Sequence, residues 1–108
     1  MPSITIYTST SYKMDPPVFA EFAVSLANLA KDILKAKDSN IHITYLTGDI
    51  GYGTPVYLEA KLRNEVFRNE MVMNEFLKQV DLLIKENIGV VARIRCFLYE
   101  KNYIFGKN

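Results

Sequence analysis

Apolar and polar residues alternate along residues 3–8, a run rich in β-branched types, which predicts a half-buried strand. Residues 8–14 are polar and read as a loop. Asp15 then offers an N-cap, and Pro16 and Pro17 suit the first turn of a helix, where a missing N–H costs nothing. Val18, Phe19, Phe22, Leu26, Leu29, Ile33 and Leu34 follow at helical spacing and form one apolar stripe, on a helix ending near Lys37. Asp38, Ser39 and Asn40 are turn residues, and residues 41–46 read as a second strand.

After a loop at 47–55 that carries three glycines, the pattern starts again. Val56, Leu58, Ala60 and Leu62 share one strand face; Tyr57, Glu59, Lys61 and Arg63 share the other. Asn69 can cap a second helix with apolar positions at Val72, Phe76, Val80, Leu83 and Ile84, and Gly89 suits its stop. Residues 91–99 read as a fourth strand, with Ala92, Ile94, Cys96 and Leu98 on one face and Arg93, Arg95, Phe97 and Tyr99 on the other. A turn at 100–102 and a short final strand at 103–105 complete the chain.

The order is strand-helix-strand, twice, with Pro2 and Pro55 each standing just before the first strand of a half. We therefore expect one α+β domain over residues 1–108, with pseudo-repeats at about 2–54 and 55–108. The two units are expected to share a four-stranded mixed sheet with both helices on one face. Leu26, Leu29, Ile33, Leu58, Phe76, Val80, Leu83, Ile94 and Cys96 should then be buried between helices and sheet. The opposite face would carry so many large aromatics and cations that a second subunit is expected to cover it.

Composition narrows the function classes. The net charge of +1 gives no electrostatic footprint for nucleic acid or an anionic membrane. No apolar stretch approaches membrane-spanning length, and no basic segment followed by an apolar run marks a secretory signal, so a cytoplasmic protein is expected. The one cysteine, Cys96, and one histidine, His42, exclude a disulfide framework and a Cys/His zinc site within one chain; no metal or cofactor is expected. An RNA-binding module of the same element order would need a glycine-containing aromatic strand motif; residues 95–99 have the aromatics without the glycine.

Pro2 leading directly into a strand, the chain length, and the doubled β-α-β order together resemble the tautomerase superfamily. Within it the likeness is to the long-subunit members, such as macrophage migration inhibitory factor and 5-carboxymethyl-2-hydroxymuconate isomerase, and above all to short bacterial tautomerase-like proteins. The resemblance implies a homotrimer in which the initiator methionine is removed and Pro2 acts as catalytic base. A free secondary amine is chemically suited to this: α-amino groups titrate near about 7.7–8.0, and burial and nearby cations lower that value. Such a base can take a proton from carbon beside a carbonyl, given cationic help for the developing enolate. The resemblance further implies Lys37, or Lys35 as second choice, at the active site, and Arg93 and Arg95 as ligands for a substrate carboxylate. Phe97, Tyr99 and Asn102 would line a site shared between subunits.

Each of these residues also has a plainer reading. Lys31, Lys35 and Lys37 fit the negative end of the first helix dipole. Arg93 and Arg95 can pair with Glu59 across the sheet. His42 fits a strand position and Cys96 a small core position. Two functions remain: a tautomerase acting on a small α-keto acid, or a non-enzymatic oligomeric or ligand-binding protein on the same fold. Intact mass separates them, since Met1 on Pro2 makes the Pro2 nitrogen a tertiary amide that is no longer basic.

Overall fold

The computed structural model describes all 108 residues. Its elements are β1 (Ser3–Ser9), α1 (Pro16–Leu34), β2 (His42–Gly48), β3 (Val56–Arg63), α2 (Glu70–Ile88) and β4 (Arg93–Tyr99), with single 3₁₀ turns at Thr10–Tyr12, Asp38–Asn40 and Lys101–Tyr103. The strands form one sheet in the order β2-β1-β3-β4. β1 pairs with β2 and β3 with β4 in parallel, while β1 and β3 meet antiparallel at the centre, so the sheet is mixed.

The period-two pattern does what it predicts. Ile4, Ile6 and Thr8 of β1 and Val56, Leu58, Ala60 and Leu62 of β3 are all buried, and the residues between them are not. Phe22, Leu26, Ala30 and Leu34 of α1 and Phe76, Val80 and Ile84 of α2 pack onto that same side, in one 14-residue core. Both helices therefore cover one face. Burying a side chain such as Phe22 or Phe76 contributes roughly 1.5–3 kcal/mol. Leu29, Ile33, Leu83, Ile94 and Cys96 are only partly buried at the margin of this core. For Ile94 and Cys96 the reason is position: β4 is an edge strand, and the fully buried sheet residues all belong to the two central strands.

The helix ends follow local chemistry. Asn69 accepts a hydrogen bond from the Val72 N–H at 3.0 Å and caps α2. Asp15 occupies the cap position of α1 without a side-chain hydrogen bond, and its backbone carbonyl accepts from the Phe19 N–H. Gly89 closes α2 in the left-handed conformation at φ 81°. α1 ends at Leu34, three residues before the predicted end near Lys37, and closes on Lys35, also left-handed at φ 57°. The Ala36 N–H reaches back to the Ala30 carbonyl, which ends the helix by capping its orphan acceptors.

The predicted final strand at 103–105 does not form. Tyr103 and Ile104 instead donate to the carbonyls of Glu100 and Lys101, which curls the chain away after β4. A strand needs a ladder partner for its backbone groups, and three alternating residues past an edge strand have none within the protomer. One polar clasp ties the sheet to the loop before α1. The Tyr45 hydroxyl accepts from the Met14 N–H at 2.8 Å and shares a hydrogen bond with the Thr8 hydroxyl at 2.7 Å.

Candidate functional site at the N-terminal end of the sheet

Four chain segments converge where β1 begins. β3 runs antiparallel to β1 and ends there at Arg63; β2 starts there, with its His42 N–H bonded to the Pro2 carbonyl at 3.0 Å; α1 ends there. Pro2 is buried, and Met1, bonded to it, forms part of the wall of a cavity of about 370 Å³. Four cations line the same cavity: Lys35, Lys37, Arg63 and Arg68. One carboxylate, Glu65, faces them, and it is held by Lys101 at 3.5 Å. Neither Lys37 nor Arg63 makes an ion pair, while Lys35 donates to the Asp32 carbonyl. The cavity thus carries unmatched positive charge. Its field acts on the N-terminus: burial first, and then the guanidiniums of Arg63 and Arg68, push the Met1 amine below its ordinary value of 8.0.

The sequence reading expects Lys37 and Lys35 beside Pro2, and both line the cavity that Met1 walls; Lys31, in the last turn of α1, also pairs with Asp38 at 2.8 Å. That reading missed Arg63 and Arg68. Arg63 is the last member of the polar set of β3, and its signal is the antiparallel register that brings a strand's end to Pro2. Arg68 has no sequence signal; a charged residue one position before a helix cap reads as solvent-exposed, yet only 7 % of it is accessible. Its Nε donates to the Leu34 carbonyl at 3.1 Å and its Nη1 to the Arg63 carbonyl at 2.6 Å.

The residues of β4 do not line this cavity. Phe97 is in register with Lys61 and Ser3, and Tyr99 with Arg63, so both stand toward the Pro2 end, on the exposed face away from the helices. Arg95 shares a row with Glu59 and Thr5, and Arg93 with Tyr57 and Tyr7. Four residues along a strand at about 3.3 Å each put Arg93 roughly 13 Å from the row of Ser3. Neither arginine pairs with Glu59, which is held by the Tyr57 hydroxyl at 3.1 Å and by Lys61 at 3.8 Å. Arg95 donates to the Ile94 carbonyl, and Arg93 borders a separate depression of about 620 Å³ with Tyr7, Ile50, Tyr52 and Tyr57. Asn102 lines a third hollow of about 360 Å³ that shares Glu65 with the N-terminal cavity. His42 is exposed, and burial raises the Cys96 thiol to about 11.

The chain matches no protein-family model and no curated protein. Solved structures do match. A member of the cis-3-chloroacrylic acid dehalogenase family, N1, superposes with a TM-score of 0.83 at 15 % identity, over 97 % of this chain and 80 % of its own. A macrophage migration inhibitory factor-like protein from Entamoeba histolytica gives 0.79 at 12 % identity, over 99 % and 95 %. W0, a fused 4-OT described as a wild-type symmetric trimer, gives 0.78 at 14 % identity, over 98 % and 94 %. The chain shares the fold of these proteins, as the resemblance to the tautomerase superfamily implied. No helix in it is long and apolar enough to cross a membrane.

Proposed function

We propose that the protein is a tautomerase that moves a proton between carbon and oxygen of a small α-keto acid, with Pro2 as general base once Met1 is removed. The observation that carries this reading is the cavity at the N-terminus, ringed by Lys35, Lys37, Arg63 and Arg68. Loss of Met1 turns the Pro2 nitrogen into a secondary amine at the start of a hydrogen-bonded strand, a rigid mount for a base. The cations that lower the Met1 amine would act on this amine too, leaving a larger neutral fraction near pH 7. In ketonisation of an enol, the base removes the hydroxyl proton, the enolate's negative charge faces the cations, and the proton returns to carbon. Lys37 and Arg63 hold the carboxylate. A positioned base contributes about 10²–10⁴-fold.

The open sheet face, with its stacked Tyr7 and Tyr57 rings 5.8 Å apart and its row of Arg93, Arg95, Phe97 and Tyr99, is the surface on which three copies close around an axis. Assembly would place those residues and Asn102 at subunit boundaries beside the cavities. The first test is intact mass, then turnover of phenylenolpyruvate and 2-hydroxymuconate by methionine-free protein, with Pro2→Ala beside it. Activity should fall by a large factor in the variant, which keeps a primary amine. No turnover by the processed protein, or equal turnover by Pro2→Ala, ends the enzymatic reading in favour of a ligand-binding one. A monomer by light scattering at micromolar concentration removes the trimer.

A further inference from the structure

Arg68 is the one nearly inaccessible charged side chain of the protein, and its environment explains the burial. A buried cation is costly unless its donors are matched. Nε and Nη1 are fixed on one planar guanidinium with their N–H groups pointing to different sides of it, and each meets a carbonyl left over at the end of an element. Leu34 is the last residue of α1, where carbonyls have no helical partner and the dipole is negative. Arg63 is the last residue of β3. The guanidinium carbon also lies 5.4 Å from the centre of the Phe67 ring.

We propose that Arg68 is the positioning residue of the N-terminal cavity, tying the end of α1 to the end of β3 so that Lys37 and Arg63 present their charges to one carboxylate. Lys37 follows Leu34 by three residues, and Arg63 is itself one of the two anchors, so the two ligand-facing cations hang from the two carbonyls that Arg68 joins. The inference rests on the cavity being the ligand site. It assigns Arg68 a role that differs from those of the other three cations: its fork geometry matters, and not only its charge. A lysine at this position keeps the charge but lacks two donors held rigidly in different directions, one for each carbonyl.

The test uses methionine-free protein with Arg68→Lys and Arg68→Met, and oxalate as the probe, followed by NMR shifts of the Lys37 and Arg63 amides. Both variants should bind oxalate at least about tenfold more weakly, because displaced charges lose the aligned carboxylate. Millimolar guanidinium should restore part of the affinity to Arg68→Met. In protein that keeps Met1, the N-terminal amine, titrated by the pH dependence of its acylation, should stay lowered in Arg68→Lys and move toward 8.0 in Arg68→Met, a separation that lost packing alone would not produce. If Arg68→Met does not fold, the Arg68→Lys comparison decides. Wild-type oxalate affinity in Arg68→Lys overturns the proposal, since charge would then suffice. Failure of the unsubstituted protein to bind oxalate overturns it together with the reading beneath it. Oxalate binding without turnover of any enol leaves the positioning role standing and removes only the enzymatic reading.

Discussion

Tyr45→Phe isolates the polar clasp between the sheet and the loop before α1. The substitution keeps the ring, which packs 5.0 Å from the Phe19 ring, and deletes one oxygen. That oxygen is the acceptor for the Met14 N–H and the partner of the Thr8 hydroxyl, and both residues are buried, at 5 % and 1 % exposure. A buried donor left without a partner costs about 1–3 kcal/mol, and the Thr8 hydroxyl adds to it, so the loss should be about 2–3 kcal/mol. For a domain near this size that corresponds to a fall in Tm of about 10–20 °C. Thr8→Val leaves the Met14 bond in place and should cost about 1 kcal/mol or less. The double variant should be less damaging than the sum of its parts by about 1 kcal/mol, because the Thr8 hydroxyl can no longer be orphaned. Urea unfolding followed by circular dichroism measures all three. A Tyr45→Phe protein within about 0.5 kcal/mol of the parent would show that water replaces the oxygen, and the clasp would be no determinant of the loop.

On the proposed enzyme, Lys37→Met or Arg63→Met should raise KM by about 10–100-fold with a smaller effect on kcat, as expected when a carboxylate contact is made before the chemical step; unchanged KM in steady-state assays of both would move the anion site elsewhere. In protein that keeps Met1, the N-terminal amine should acylate with a midpoint below 8.0 when folded and return toward 8.0 in urea. Because the folded value is the lower one, the unfolded chain binds more protons between the two, so this amine's contribution to stability rises with pH through that window and is lost as pH falls through the folded value. A native amine titrating at or above 8.0 would contradict the cation-lined site. Cys96, with a thiol near pH 11, should be about a thousandth thiolate at pH 8 and react slowly with a disulfide reagent until the protein unfolds; rapid labelling of native protein would refute its burial.

The parts of the fold legible in the sequence are those where burial is one-sided and periodic. Ile4, Ile6, Leu58 and Leu62 alternate with polar neighbours, and Phe22, Leu26, Phe76 and Val80 recur at helical spacing, so two strands and two helices follow directly. What escaped depends on distant partners. The 103–105 alternation looks like strand, but pairing is a property of two segments and no second one is within reach. Lys37 is pointed to by the family resemblance, and the β-α-β unit, which returns the chain to the end it left, brings it to the cavity that Met1 walls. Arg68 could not be placed in this way, because its role comes from two carbonyls 34 and 5 residues away.

The two helices have the same length of 19 residues and stop on the same kind of left-handed residue, yet one stop is Gly89 and the other Lys35. A residue with a Cβ gives up about 1–2 kcal/mol in that conformation, and glycine gives up none of it. Each half of the chain is thus a control for the other, and the difference between them is concentrated at one end, on a residue of the cavity wall. Tension at Lys35 favours release of the last turn of α1, and the Arg68 bond to the Leu34 carbonyl opposes it. The backbone strain beside Pro2 is therefore held at one residue of the cavity rim, outside the core that both halves share.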